Sequence, residues 1–418
     1  MGVSMVPAMG LLGRRDFLLI FVAFALSALG DYVALITLTL RIQETTGSGW
    51  AVAGLLLTGL VPPVLLAPLA GLLVDRLETV RVLVVTALIQ AVVAATLAFT
   101  SDVFPTLGLS FLLGTGLAVT QPALFALLPR AVGEERTTQA NAFLEVARWG
   151  GAAAGPVIAA VMSQAFGAGS TLMANAATFL AVAVLVSLLR VRRHPDATEE
   201  EAPTAKGRAR QGLVFIARDP LLRVIVPMVG FMVVFAAADN VAEVFFAKDV
   251  LRAGDTGYGV LITTWTIGMV IGSTAAGRFL KPSRLAPAVV VLPIVGGGAV
   301  VLAAAAAIYP LAVAMFLVGG FANGVELVGM RSLLHQRVPD RLRGRAFAAY
   351  YGVVQAAQIL AMGASGGLVE LAGPRMTMVI AGLGTAAVGL AGTYLYVRIP
   401  AVERRAREPT PVQPWVPA

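Results

Sequence analysis

Cysteine is absent from this chain of 418 residues, histidine occurs only twice, and charged residues make up 13%. Without cysteine there is neither a disulfide framework nor a thiolate metal site, and His194 and His335 stand too far apart in sequence to form a paired-histidine motif. No stretch reads GxxxxGK(S/T), HExxH or GxSxG. P-loop nucleotide hydrolysis, zinc peptidase chemistry and the serine nucleophile elbow therefore find no support. We expect no enzyme, no cofactor and no metal. A net charge of +8 invites a nucleic-acid partner, but the basic residues are scattered through short loops rather than gathered in one patch, so none is expected.

What the chain does contain is apolar sequence: 58% of residues are hydrophobic, and the mean hydropathy is +0.85. That is enough for about twelve spans of roughly 20 residues. No soluble domain of this length has that balance. The apolar runs predict spans near 17–40, 51–74, 80–99, 104–128, 142–165, 171–190, 222–247, 258–280, 286–307, 309–332, 346–371 and 375–397. The fold class is thus all-α and integral to the membrane, with the lipid bilayer as the first partner. Twelve crossings bring both termini to one side. Loops on that side carry Arg14, Arg15, Arg76, Arg81, Arg130, Arg136, Arg192, Arg278, Lys281, Arg337 and more, against Arg41, Lys248, Arg252 and Arg375 on the other. The positive-inside rule makes that side cytoplasmic, in a plasma or inner membrane. Arg14 and Arg15 before FLLIFVAFALSALG imitate a secretory signal, but the apolar run resumes past Asp31, so cleavage is not expected.

The chain is duplicated. Asp31 in SALGDYVALITLTL and Asp239 in AAADNVAEVFFAKDV sit 208 residues apart at the same depth of an apolar run, and Trp50 falls in register with Tyr258. The predicted organisation is a tail (1–16), a six-helix bundle (17–190), a linker with an interfacial helix (191–221), a second, pseudo-symmetric six-helix bundle (222–397) and a Pro-rich tail (398–418). Glycine pairs 268/272, 320/324 and 363/367 have the spacing of close helix packing.

Several stretches resemble the major facilitator superfamily, and the resemblance covers essentially the whole chain. GLLVDRLETVR at 71–81 is similar to the family's gate motif G-x-x-x-D-R-x-G-R-R/K at Gly71, Asp75 and Arg76. Glu78 and Thr79 depart from it, and Arg81 is displaced. GGAAAGPVIAA at 150–160 resembles the exporters' pattern at Gly151, Gly155 and Pro156, with alanines in place of its last two glycines. LLPRAVGEERTTQANAF and LHQRVPDRLRGRAF look like the drug-efflux and siderophore-exporter branch, which includes macrolide efflux and enterobactin export proteins. That resemblance implies the major facilitator fold, a cytoplasmic gate at Asp75 and a secondary exporter of hydrophobic or amphiphilic molecules that works as a proton antiporter. The fourth span has no arginine where the family's proton antiporters often carry one.

An ionised side chain in hydrocarbon costs several kcal/mol, so residues kept there tend to face cavities or ion paths. Asp31, Asp239, Glu243, Glu145, Arg148 and Glu326 are the candidates for coupling or cavity roles. Asp239 and Glu243 share a helix face about 5–6 Å apart, where two negative charges repel. For Glu243 the structural alternative is a pair with Lys248; for Glu145, an interfacial pair with Arg148; for Glu326, a pair with Arg331. Asn240, Gln121, Asn323, Gln355, Gln358, Phe235 and Trp265 are weaker candidates for the substrate cavity. The expected partners are a small-molecule substrate and protons, taken up by a monomer. A facilitative or proton-coupled importer of a metabolite or lipid is the alternative function, and a membrane receptor or scaffold a third.

Overall fold

The computed structural model describes residues 10–192 and 205–400, without the side chains of Pro68, Asp75 and 205–210. The first nine residues, His194 with the rest of 193–204, and the Pro-rich tail from 401 lie outside the described residues. Within them there is no strand. An apolar chain in lipid must satisfy its backbone internally, and helices do so segment by segment.

The first half runs α1 (Arg15–Thr46), α2 (Gly49–Arg76), α3 (Thr79–Phe99) and α4 (Val103–Val132), then Thr137–Ser187. That last stretch is two crossings, because Gly167 has φ 81° and ψ 157°, a backbone shape that an L side chain resists. Its arms are α5 (137–166) and α6 (168–187). The linker helix is α7 (Ala205–Arg218). The second half runs α8 (Leu222–Ala236), α9 (Asp239–Phe245), α10 (Gly254–Phe279), α11 (Leu285–Ala306), α12 (Tyr309–Arg337), α13 (Asp340–Ala372) and α14 (Pro374–Arg398). With α8 and α9 counted as one crossing, each half contributes six.

One expected span is broken. Sequence predicts a single helix over 222–247, yet the chain tightens at Ala237 and Ala238, where Ala238 N–H donates to Phe235 O at 3.1 Å, and restarts at Asp239. Ser365 of α13 donates to the Ala238 carbonyl at 2.5 Å, so the interrupted backbone keeps a partner. Past α9 the helix widens, with Leu251 N–H reaching back five residues to Phe246 O.

The halves meet in a symmetric way, α2 against α13 and α5 against α10. One apolar core joins them at the face opposite the basic loops, where Val33–Ile42 and Val52–Leu55 pack with residues of 241–247, Tyr258 and Val369. Towards the basic face each half has a separate core, one around Phe17, Leu83 and Leu127, the other around Leu222, Val289 and Leu334. Among the described residues, the hydrogen bonds and ion pairs between halves belong to the shared-core side. Lys248 pairs with Glu44 across the interface (2.6 Å) and with Asp255 (2.7 Å), Ser48 donates to Glu370 (2.7 Å), and Thr263 donates to the Ala153 carbonyl (2.8 Å). The molecule is closed at this face and open towards the basic one.

Helix α7 is fixed to the second half. Gly212 lies so close to the Arg345 carbonyl that a Cβ there would sit 2.1 Å from it, and Arg345 donates to Gln211. At its end Asp219 caps α8, accepting from the N–H groups of Leu221 (2.9 Å) and Leu222 (3.0 Å), and pairs with the buried Arg337 at 3.8 Å. Asp219→Ala removes a cap and one partner of a buried guanidinium. We expect it to lower stability by about 3 kcal/mol, measured by thermal unfolding in detergent. A change below about 0.5 kcal/mol would mean that neither interaction holds the linker.

Candidate functional site

Two cavities among the described residues hold the candidate side chains. The larger, about 380 Å³, opens among α1 to α6 of the first half and is completed by Met362 of α13. Its walls are mainly leucine, alanine and phenylalanine. Asp31 projects into it from α1, Gln90 from α3, Ser110 and Gln121 from α4, and Arg148 from α5. Ser27, one turn before Asp31, donates to its carboxylate at 3.4 Å. No cation pairs with Asp31 among the described residues. Arg148 is held at 3.9 Å by Glu145, its neighbour one turn earlier, as the structural reading of that pair expects. Ser110 Oγ is buried without a hydrogen-bond partner. A carboxylate in such surroundings attracts a positive charge whose remainder is apolar, and the size suits a drug-sized molecule.

The smaller cavity, about 40 Å³, is lined by the second half alone. Asp239, Asn323, Glu326, Trp265 and Thr385 line it. Asp239 and Glu326 are 7% and 6% exposed. Glu326 stands one turn from Asn323 on its own helix, and both line the cavity; among the described residues it makes no ion pair with Arg331, contrary to the structural pairing considered for it. Glu243 lies one turn beyond Asp239 on the same helix. It does not hold Lys248, which pairs with Glu44 and Asp255 instead.

The repeat relation carries through to geometry. Asp31 and Asp239 line corresponding cavities, and so do Gln121 and Glu326.

The other candidates fall elsewhere. Phe235 packs its ring against Gly384 of α14, where a Cβ would lie 2.1 Å away, rather than facing either cavity. Asn240 donates to the Ala237 carbonyl at 3.3 Å and closes the break before α9. Gln355 and Gln358 are half-buried and line neither cavity. At the gate motif the Asp75 side chain lies outside the described residues, Gly71 has open space around it, and Arg76 and Arg81 are exposed. Glu78, where the motif has glycine, caps α3 by accepting from Val80 N–H (3.1 Å) and Arg81 N–H (2.9 Å), and pairs with Arg192 at 3.6 Å. Its charge sits where a helix N-terminus favours an anion. Of the exporter-like motif, Gly151 and Gly155 let α5 approach Ala28 and Tyr32 of α1, while the Pro156 carbonyl faces Gly259 of α10 in the other half.

Sequence reasoning missed Ser110, Thr385 and Met362, which look like ordinary span residues until the helices are assembled. It also missed the Glu44–Lys248–Asp255 cluster, whose members belong to different halves.

Twelve apolar crossings in two related halves, with cavities that hold a few buried polar side chains, define a multi-pass membrane transporter. The profile of the Major Facilitator Superfamily matches residues 20–254 and 244–418, and the chain belongs to that family. It is 24% identical to the multidrug efflux pump Tap of Mycolicibacterium fortuitum over 93% of both chains. Macrolide efflux protein A of Streptococcus pyogenes is 20% identical, over 64% of this chain and 67% of the other, which with Tap supports the drug-efflux branch. The lysophospholipid transporter LplT of Serratia proteamaculans is 23% identical, over 77% and 80%. Among solved structures, a variant of the nucleoside transporter NupG superposes with a TM-score of 0.75 at 13% identity, covering 91% of this chain and 99% of that one.

Proposed function

We propose that the protein is a secondary exporter of hydrophobic or amphiphilic small molecules, working by alternating access and driven by protons moving the other way. The observation that carries this reading is the first cavity, where apolar walls surround one carboxylate that makes no ion pair among the described residues, together with Arg148 and a few neutral polar groups. The efflux relatives agree with it. The basic face is the cytoplasmic one by the positive-inside rule, so the structure corresponds to a molecule loaded from the cytoplasm. Both tails then lie inside, at the plasma or inner membrane, and one copy of the chain suffices for the cycle.

A second reading, movement of a single-chain lipid, is favoured by the relative named a lysophospholipid transporter and by the same apolar walls. One experiment separates the two. Purified protein is heated with dodecyltrimethylammonium, macrolides, lysophosphatidylethanolamine or sugars, and a ligand present at about 100 times its Kd stabilises by about 2.7 kcal/mol. Export of drug-like molecules predicts that cationic amphiphiles and macrolides raise the melting temperature. A rise confined to the lysolipid favours the second reading, and one confined to sugars contradicts both.

A further inference from the structure

Of the side chains that line the larger cavity, the charged ones are Asp31 and Arg148. Asp31 makes no ion pair among the described residues. The ion-pair partner of Arg148 is Glu145, at 3.9 Å, and the two side chains are 31% and 45% exposed. A pair that long and that exposed contributes little and yields to a better-placed anion. The cavity thus holds a carboxylate and a guanidinium that are not spent on each other.

Their separation follows from the packing of α1 on α5. A Cβ at Gly151 would lie 3.0 Å from the Ala28 carbonyl carbon, and one at Gly155 would lie 2.6 Å from the Tyr32 Cβ. The two helices therefore run in the same direction, with residue 151 level with 28 and residue 155 level with 32. Arg148 is then level with residue 25, six residues nearer the basic face than Asp31, or about 9 Å by helical rise. Both side chains lean towards the N-terminus of their helix, as the contacts of Asp31 with Ser27 and of Arg148 with Glu145 show, so the offset persists at the charged groups. Past Asp31 the cavity continues towards the closed face as far as Leu38, seven residues on, or about 10 Å. Its walls there are Leu38, Leu55, Leu56 and Leu113, and no charged side chain among the described residues lines that end.

We propose that this cavity takes zwitterionic amphiphiles in one orientation, with the anionic group on Arg148, the cationic centre on Asp31 and the apolar tail in the leucine-walled end. The inference names a substrate class for the exporter read above and rests on that reading. An offset of about 9 Å, less a contact of about 2.8 Å at each end, leaves about 3–4 Å between the two charges of the ligand. That is the spacing in a betaine, whose carboxylate stands two bonds from its quaternary nitrogen. The guanidinium can take such a carboxylate with two parallel hydrogen bonds. The space past Asp31 accommodates a tail of about eight carbons. A simple cation satisfies Asp31 alone, whereas a betaine satisfies both charged groups. In a phosphocholine lipid the order is reversed, with the phosphate next to the tail and the cation at the far end. Such a ligand cannot reach both groups with its tail among these leucines.

The test titrates N-octyl betaine, octyltrimethylammonium and octylphosphocholine into the full chain in lipid nanodiscs. Wild-type protein is expected to bind the betaine about tenfold more tightly than either of the others, the gain from one charge-assisted contact. Arg148→Gln is expected to abolish the preference for the betaine over octyltrimethylammonium while changing the affinity for that cation by less than about threefold, because the guanidinium does not touch it. Arg148→Lys is expected to restore part of the preference, which a misfolded variant could not do. A betaine bound no more tightly than the cation, or a preference that survives in Arg148→Gln, would overturn the zwitterion site and leave export of cationic amphiphiles standing. Octylphosphocholine bound more tightly than the betaine would overturn the proposed order and side with the lipid reading. Failure of all three to bind would overturn the site together with the assignment of this cavity to substrate.

Discussion

Replacing Gly366 with leucine is expected to hold the protein open at the face opposite its basic loops and to reduce transport about tenfold or more. A Cβ at Gly366 would lie 2.8 Å from the Trp50 Cα and 2.9 Å from the Gly49 carbonyl oxygen. Both neighbours are backbone, which cannot swing aside. Overpacking of this kind costs about 1–3 kcal/mol, and each 1.4 kcal/mol shifts the balance of states tenfold. The clash exists only where α2 closes on α13, so the open form escapes it. Spin-label distances between Thr45→Cys and Ala372→Cys should lengthen, and an unchanged distance distribution would show that the closure tolerates the side chain. Lys248→Ala should act in the same direction but more weakly, because Glu44 is 54% exposed and a solvated ion pair contributes little.

Asp31→Asn is expected to weaken binding of a permanent hydrophobic cation by about 10- to 100-fold while changing that of a neutral analogue by less than about threefold. A hydrogen bond or contact to a charged group contributes about 1.5–3 kcal/mol, and asparagine keeps the shape of the side chain while removing the charge. Dodecyltrimethylammonium and dodecanol, titrated into purified protein, make the comparison. Equal losses for both would assign Asp31 to the packing of the first half rather than to recognition of charge.

Much of the fold could be read from the chain because lipid imposes simple rules. Each span needs an apolar run of fixed length, and the arginine bias marks one face. Eight of the twelve predicted spans fall inside the helices observed, those over 171–190, 258–280 and 286–307 overrun a helix end by one to three residues, and Gly167 separates two crossings where two runs were expected. The interruption before Asp239 could not be read, since nothing local in AAADNV demands it. It depends on a serine of α13, 127 residues further on, reaching the Ala238 carbonyl. The cavities were legible in part. Repeat register singled out Asp31 with Asp239, and both line cavities. That Asp239 and Glu326 line one cavity is a matter of tertiary packing and has no signature along the chain. Phe235, Gln355 and Gln358 were selected by residue type alone, and the packing of α8 and α13 turned them elsewhere.

The attachment of α7 to α12 and α13 has a geometric consequence. Since that helix travels with the second half, the covalent tether between the halves shrinks to residues 193–204. Twelve residues reach at most about 40 Å. The covalent length of the tether alone therefore sets an upper limit on how far the halves can part at the basic face. Shortening it residue by residue would set the widest entrance through which a substrate can pass, independently of the chemistry of the cavity behind it.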